Sequence, residues 1–277
     1  MWRLGVVSFL NSKPLIEGLD ADPEVDLRFA VPAQLPAMLQ GSDVGAALIP
    51  VVDVLRSGGR YVVLSNACIG ADGETMTVRV FSQVPPDRVR ILNVDSDSHT
   101  SVALARVLWR ELYNRDLTVR PIDSRVQDLA ETESVLLIGD KVVDPRRGRF
   151  AYEVDLAGAW RQHTGLPFVF AVWACPRATL AVEPAIREQL GGRLNAARDR
   201  GVARAAGLAE EYGPSLGWPV ALAHRYLVRC LRYNLDGRAI EGVNLFAKLG
   251  SAVGVLPADA ELVWASALLG SATGAVH

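Results

Sequence analysis

Short apolar runs alternate with helical patterns through the first half of the chain. Residues 4–8 form a compact apolar run, and a helix candidate follows from Ser12, with Pro14 inside its first turn. Residues 25–31 predict a second strand, after which Pro32 opens a helix that Gly41 closes. Residues 44–49 are apolar without a break, as in a parallel strand covered on both faces, and Pro50 starts the next helix. The order βαβαβ predicts an α/β layer.

A second series of the same kind follows. Strands are predicted at 76–81 and 89–94, with a stiff connector, Ser82-Gln83-Val84-Pro85-Pro86, between them. Residues 98–113 predict a helix with Leu104, Leu108 and Leu112 on one face. Residues 117–120 and 134–138 are further strand candidates, and 153–156 leads into a helix that holds Trp160. The β-prone run 168–173 crosses back, and the remainder is helical, with candidates at 183–200, 218–233 and 237–249. Two α/β units result, the second inserted in the first: residues 1–82 plus 174–277 as one lobe, 83–173 as the other, with hinges near 80–86 and 170–176. A clamshell of this kind places its ligand in the crevice at the carboxyl ends of strands and the N-termini of helices.

Half of the 277 residues are apolar and 22% are charged, enough for a sizeable core and too apolar for a disordered chain. The 29 cations against 31 acids leave a formal charge of −2. That balance lacks the basic excess that drives binding to a phosphate backbone, so no nucleic-acid partner is expected. Only Lys13, Lys141 and Lys248 are lysines; the other cations are arginines, the better fork for carboxylates. Cys68, Cys175 and Cys230 are odd in number and dispersed, with no CxxC pair. That argues against a disulfide framework or structural zinc, and for a reducing compartment. The apolar N-terminus has no basic lead and no small-residue cleavage site, and no run reaches the roughly 18–20 apolar residues that span a bilayer. A soluble, cytoplasmic protein with no membrane partner is expected.

The familiar catalytic signatures are missing: there is no GxSxG, no P-loop, no HExxH and no GxGxxG. His99, His163, His224 and His277 show no ligand spacing, so no metal is expected. Three segments draw notice. In Ser8-Phe9-Leu10-Asn11-Ser12-Lys13-Pro14-Leu15 a strand turns into a helix. Ser12 alone satisfies the cap, leaving Asn11, whose amide both donates and accepts, to project into the crevice. In Asp95-Ser96-Asp97-Ser98-His99-Thr100-Ser101 hydroxyls and carboxylates crowd a helix start. Free backbone N–H groups there bind anions, and Ser or Thr hydroxyls extend that nest to a substrate carboxylate. Capping and solvation explain the same residues equally well, and His99 reads either as a base or as a solvent-facing residue. In Val135-Leu136-Leu137-Ile138-Gly139-Asp140 a buried strand ends in a glycine that permits close approach and an aspartate that caps the next turn, which is a structural role. The basic loop Asp144-Pro145-Arg146-Arg147-Gly148-Arg149 reads as solvated surface.

Taken in order, these segments resemble the chorismate dehydratase family of the futalosine route to menaquinone. The match runs through residues 8–15, 96–101 and 137–140. It is most specific in Trp160-Arg161-Gln162-His163-Thr164-Gly165-Leu166-Pro167-Phe168-Val169-Phe170-Ala171-Val172-Trp173. The C-terminal part matches only in helical character and length. The resemblance implies a two-lobed, type II periplasmic-binding-protein-like α/β fold used as an enzyme. It also implies loss of water from chorismate to give 3-[(1-carboxyvinyl)oxy]benzoate, with no cofactor. Carried onto this chain, it makes Asn11 and Ser96 the catalytic pair, and Ser8, Ser12, Ser98, His99, Thr100 and Ser101 the substrate-binding set. Asp95 stands where the family often has glycine, His99 where arginine is common, and Lys141-Val142 where Ala-Leu is usual.

The implied dehydration removes the proton at ring C3 and the hydroxyl at C4. Conjugation through the ring to the C1 carboxylate acidifies the C3 proton, so donors that stabilise a dienolate there lower the barrier. The matching motifs supply no well-supported protein base. The expectation is therefore that the substrate's own enolpyruvyl carboxylate takes the proton, while Asn11 and Ser96 orient it and the leaving hydroxyl. Two rivals share the architecture. One is a non-enzymatic solute-binding protein for a small carboxylate, against which the missing export signal counts. The other is the 1,4-dihydroxy-6-naphthoate synthase family of the same pathway, which opens on Cys-Pro-Asn-Asp where this chain has Asn-Ser-Lys-Pro.

Overall fold

The structure is a computed structural model that describes residues 1–95, 98–122, 129, 132–144, 149–182 and 189–265. In chain order it lays down β1 (Trp2–Val7), a 3₁₀ turn (Leu10–Leu15), β2 (Val25–Ala30), α1 (Leu35–Gln40), β3 (Ala46–Pro50), α2 (Val51–Arg56) and β4 (Tyr61–Ala71). Next come β5 (Val78–Ser82), β6 (Ile91–Asp95), α3 (His99–Tyr113), β7 (Thr118–Ile122), β8 (Ser134–Ile138), β9 (Tyr152–Asp155) and α4 (Leu156–Thr164). The remainder is β10 (Phe168–Pro176), α5 (Arg177–Val182), α6 (Gly191–Ala203), α7 (Ala205–Tyr212), α8 (Val220–Arg225), β11 (Arg232–Asn234) and α9 (Gly237–Ala252).

The strands form two mixed sheets. In the first, ordered β11-β4-β10-β3-β1-β2, β1 runs parallel to β2 and β3, while β10 runs antiparallel to β3 and β4. In the second, ordered β7-β6-β8-β5-β9, β6 is parallel to β7 and β8, and β5 is antiparallel to β8 and β9. β3 and β8 are buried along their whole length, which is why their sequences are apolar without alternation. The lobes share an apolar core where Trp160 of α4, Phe168 of β10 and Phe246 of α9 pack edge to face, with ring centroids 5.1–6.2 Å apart.

The chain changes sheets at places other than the expected hinges. Residues 80–82 lie inside β5, an interior strand of the second sheet, and 170–176 lie inside β10, an interior strand of the first. The crossings are instead at 72–77 and 165–167, so the second lobe begins with β5 and ends with α4. The run expected to bridge the lobes is β-prone because it bonds to β3 and β4 on its two sides. The first crossing is clamped. The carboxylate of Asp155, which caps α4, accepts from the backbone N–H of Thr75 (3.1 Å), Met76 (2.7 Å) and Gly158 (3.0 Å).

Two further differences shape the site. β4 has no counterpart among the expected strands: Ser65-Asn66 and Gly70 interrupt its apolar run, and it pairs irregularly with β10 and β11. The helix expected over 218–233 breaks in three. α8 stops at Arg225, a π-helical turn spans Tyr226–Cys230, and β11 then pairs with β4. Such turns recur at functional sites because they redirect a side chain without ending the local hydrogen bonding. Of the helix expected over 183–200, residues 183–188 lie outside the described residues, and α6 spans Gly191–Ala203.

α6 packs on the turn that carries Asn11. At Gly201 of α6 a Cβ would lie 2.0 Å from the carbonyl oxygen of Pro14. Alanine favours a helix interior over glycine by about 1 kcal/mol. Gly201→Ala is nevertheless expected to destabilise the protein by about 2 kcal/mol or more, because backbone rather than a flexible side chain must move aside. Urea unfolding reads the sign, and a gain in stability would show that α6 does not press on this turn.

Candidate functional site

A cavity partly open to solvent lies between the lobes. The end of β1 and the turn after it contribute Val7, Phe9 and Asn11; β3 and β8 contribute Pro50, Ile138 and Gly139 at their carboxyl ends. The crossing at 72–77 brings Thr75 and Thr77, α3 brings Ser98, His99, Thr100 and Ser101 at its start, and Phe170 and Tyr226 complete the wall with neighbouring apolar residues. Strand ends and a helix start converging on an apolar cavity with a few polar groups is the composition of a small-molecule site. Among the described residues, no arginine or lysine lines it.

One polar edge is built around Tyr226. The π-helical turn turns its ring inward, where it stacks on Trp218 with centroids 4.9 Å apart and planes 10° apart. Its buried hydroxyl lies 2.7 Å from Thr77 Oγ1 and is hydrogen-bonded to the Asn11 side chain. Burial pushes the phenol far above its ordinary value, so it stays a hydroxyl. Asn11 keeps its Oδ1 buried at the cavity with no protein partner. An acceptor left bare this way costs free energy unless a ligand or water donates to it.

Asp140 supports this edge from behind. It does not cap the following turn with its side chain; its carboxylate accepts from Trp218 Nε1 (2.8 Å) and from the backbone N–H of Leu10. Gly139 holds φ +60°, and a Cβ there would come within 2.7–2.9 Å of the Phe9 ring, so conformation and space both require glycine. The strand end thereby packs directly on the Phe9 ring that precedes the Asn11 turn.

The facing edge is the start of α3. Ser98 caps the helix, its Oγ accepting from the Ser101 N–H at 3.3 Å. Thr100 Oγ1 donates to Phe170 O (3.1 Å) and lies 3.4 Å from the Val52 N–H, so it ties α3 to β10 and α2 of the other lobe. His99 reaches the same lobe: its Nδ1 is 2.8 Å from Asp53 Oδ2 and 3.1 Å from Oδ1. His99 is therefore held by a carboxylate at the cavity wall instead of turning fully to solvent.

The remaining candidates divide as follows. Ser12 is fully buried, with its hydroxyl directed at the carbonyls of Val7 (2.6 Å) and Phe9 (3.0 Å), so it braces the turn and does not line the cavity. Ser8 is half-buried and also outside the lining set; its N–H donates to Ala30 O at 3.0 Å. Ser96 lies outside the described residues, as does Asp97. Burial pushes the thiols of Cys68 and Cys175 up to about 12, which leaves them unreactive core groups. Among the described residues no three His, Cys, Asp or Glu side chains gather as metal ligands, and no helix is long and apolar enough to cross a membrane. The sequence expectation omits Thr75, Thr77, Asp53 and Tyr226. Two threonines flanking Met76 before a strand, and an acid among the valines that open α2, are the signals for the first three. Tyr226 sits in a helical pattern and carries no local signal.

The family model for menaquinone biosynthesis matches residues 2–252. A chorismate dehydratase from Thermus thermophilus is 28% identical over 264 residues, covering 88% of this chain and 93% of that protein. Among solved structures, a protein from Archaeoglobus fulgidus superposes with a TM-score of 0.68 at 12% identity, covering 92% of this chain and 98% of that one. The alkanesulfonate-binding protein from Xanthomonas axonopodis pv. citri, bound to MOPS, gives 0.65 at 13% identity, covering 95% and 97%. A Candida albicans protein with the generic periplasmic binding protein fold gives 0.65 at 9%, covering 93% and 91%. The fold is that of the periplasmic binding proteins, two α/β lobes around a cleft, as the sequence resemblance implies.

Burial raises the Asp140 carboxyl above its ordinary value of 3.8, and the bonds from Trp218 and Leu10 offset part of that rise. The native state thus holds this proton more tightly than the unfolded chain, and its contribution to stability grows as pH falls from the raised native value toward 3.8. Trp218→Phe removes the indole N–H and drives the carboxyl higher still. The variant is expected to lose about 1.5–3 kcal/mol at neutral pH in urea unfolding. The loss should shrink as pH falls from the variant's higher Asp140 value to the parent's, below which both proteins are protonated. A loss independent of pH would assign it to packing alone.

Proposed function

Because this chain belongs to the menaquinone-biosynthesis family, we propose that it is a chorismate dehydratase. It removes water from chorismate to give 3-[(1-carboxyvinyl)oxy]benzoate, acting as a cytoplasmic carbon–oxygen lyase on the futalosine route. The observation that carries this function is the shared cavity: Asn11 from one lobe and the hydroxyl-bearing start of α3 from the other line the same space.

The cavity suits the chemistry. Its apolar walls, Phe9, Ile69, Val78 and Phe170 among them, accept a six-membered ring that becomes aromatic in the reaction. The C1 carboxylate belongs at the start of α3, where free N–H groups and the Ser101 hydroxyl favour negative charge. As the C3–H bond breaks, charge grows on that carboxylate, and neutral fixed donors answer it without reorganising. The Asn11, Tyr226 and Thr77 edge faces the opposite rim, where the C4 hydroxyl and the enolpyruvyl group need orientation. Chorismate itself supplies every atom of the two products.

Incubation with chorismate should produce a benzoate-type absorbance and the expected mass by chromatography. Asn11→Ala should lower kcat/KM by about 10²-fold, the usual cost of one preorganised donor. Binding of chorismate without conversion would instead favour a solute-binding role, which the fold alone serves equally well. Unchanged turnover in Asn11→Ala would remove Asn11 from the site.

A further inference from the structure

We propose that Tyr226 is a positioning residue. Its hydroxyl takes up the Asn11 amide N–H and so holds Asn11 Oδ1 toward the cavity, which makes this edge the receptor for the C4 hydroxyl of the substrate. The assignment rests on the dehydratase function proposed above.

The two ends of an amide have nearly the same shape, so only their partners decide which one faces a ligand. Turned one way, Asn11 offers two N–H groups, the complement of a carboxylate. Turned the other way, it offers lone pairs, which repel a carboxylate and accept from a hydroxyl. The Asn11 side chain is bonded to Tyr226, and Oδ1 is buried without a protein partner, so the bond to the phenol is made by Nδ2. Burial keeps the phenol protonated, and its own proton is then directed at Thr77 Oγ1, 2.7 Å away. The relay runs from the Asn11 N–H through Tyr226 to Thr77, each bond polarising the next.

Neither relay partner is loose. Tyr226 is 1% exposed, and its ring is held by the stack on Trp218. Thr77 is equally buried, and its backbone carbonyl accepts from the Gly139 N–H at 2.9 Å. Met76 before it holds φ +69°, in the left-handed region that a methionine seldom enters, with its N–H bound to Asp155 Oδ2 at 2.7 Å. A strained backbone kept by such bonds fixes where the Thr77 hydroxyl lies.

Chorismate carries two carboxylates, an ether oxygen and one hydroxyl, at C4. Of these only the hydroxyl donates, so it is the group that satisfies Oδ1. C4 lies across the ring from C1, which puts the C1 carboxylate at the facing edge of the cavity, the start of α3. The two edges thus sort the ends of the substrate by opposite polarity, N–H donors for the carboxylate and an amide oxygen for the hydroxyl.

Two inert aromatic probes read the edge directly: 3-[(1-carboxyvinyl)oxy]-4-hydroxybenzoate and its 4-fluoro counterpart, alike in size and different in the donor. By calorimetry the full-length parent should bind the hydroxy probe about tenfold or more tighter than the fluoro probe. In Tyr226→Phe the ring still stacks but the amide is released, and the ratio should fall to within about threefold. Its kcat/KM for chorismate should fall about tenfold or more. A loss of packing alone would weaken both probes together and leave their ratio unchanged. Should Tyr226→Phe fail to fold, Thr77→Val carries the same test, because the phenol proton then turns to Asn11 and reverses the amide. A parent-like ratio in the folded variant, or no preference for the hydroxy probe in the parent, would overturn the role of Tyr226. No conversion of chorismate by the parent would overturn the dehydratase function instead, and the probe ratio tells the two failures apart.

Discussion

The Tyr226 hydroxyl is buried beside an apolar cavity, and a hydroxyl in that position without partners costs about 1–3 kcal/mol. The surrounding structure is arranged to satisfy it. Thr77 comes from the crossing between lobes and Asn11 from the turn after β1, while Trp218 stacks on the ring from the segment before α8. Behind them the Asp140 carboxylate joins Trp218 to the backbone of Leu10, so the end of β8 is locked to the Asn11 turn. Four separated stretches of chain are thus fixed by one buried polar network. Such networks specify a unique arrangement because a half-satisfied alternative is worse than none.

Opposite that network, the start of α3 is tied to the other lobe by Thr100 and His99. The cavity between them is walled by neutral dipoles, hydroxyls and one imidazole, without a lining arginine or lysine among the described residues. A strong cation would bind the substrate and the transition state about equally. Neutral donors aimed at the place where charge grows act more on the transition state, and that difference is what accelerates a reaction. The same choice fits an elimination whose charge moves onto a carboxylate already present in the ground state.

Much of the fold is legible in the sequence because burial on both faces leaves an unmistakable mark. β3 and β8 read as uninterrupted apolar runs, and Ser98 before a helical period announces α3. β4 escapes because Ser65, Asn66 and Gly70 break its run where its pairing is irregular. The lobe boundaries shift because a strand at the centre of a sheet and an extended linker have the same local propensity, and only pairing separates them. Of the candidate site, Asn11 and residues 98–101 are legible from unusual polarity at element ends. Ser12 carries the same polarity for a different reason, since the turn needs its hydroxyl for two carbonyls. Tyr226 and Asp53 come into the site through long-range packing that no window of sequence contains: one is redirected by a π-helical turn, the other meets His99 across 46 residues.

The most direct measurement is a crystal structure of the protein with 3-[(1-carboxyvinyl)oxy]benzoate bound. The ring should lie between the lobes with its C1 carboxylate against the first turn of α3 and Asn11 at one edge. A product found outside this cavity, or inside it with the C1 carboxylate turned away from α3, would contradict the whole arrangement described for this cleft.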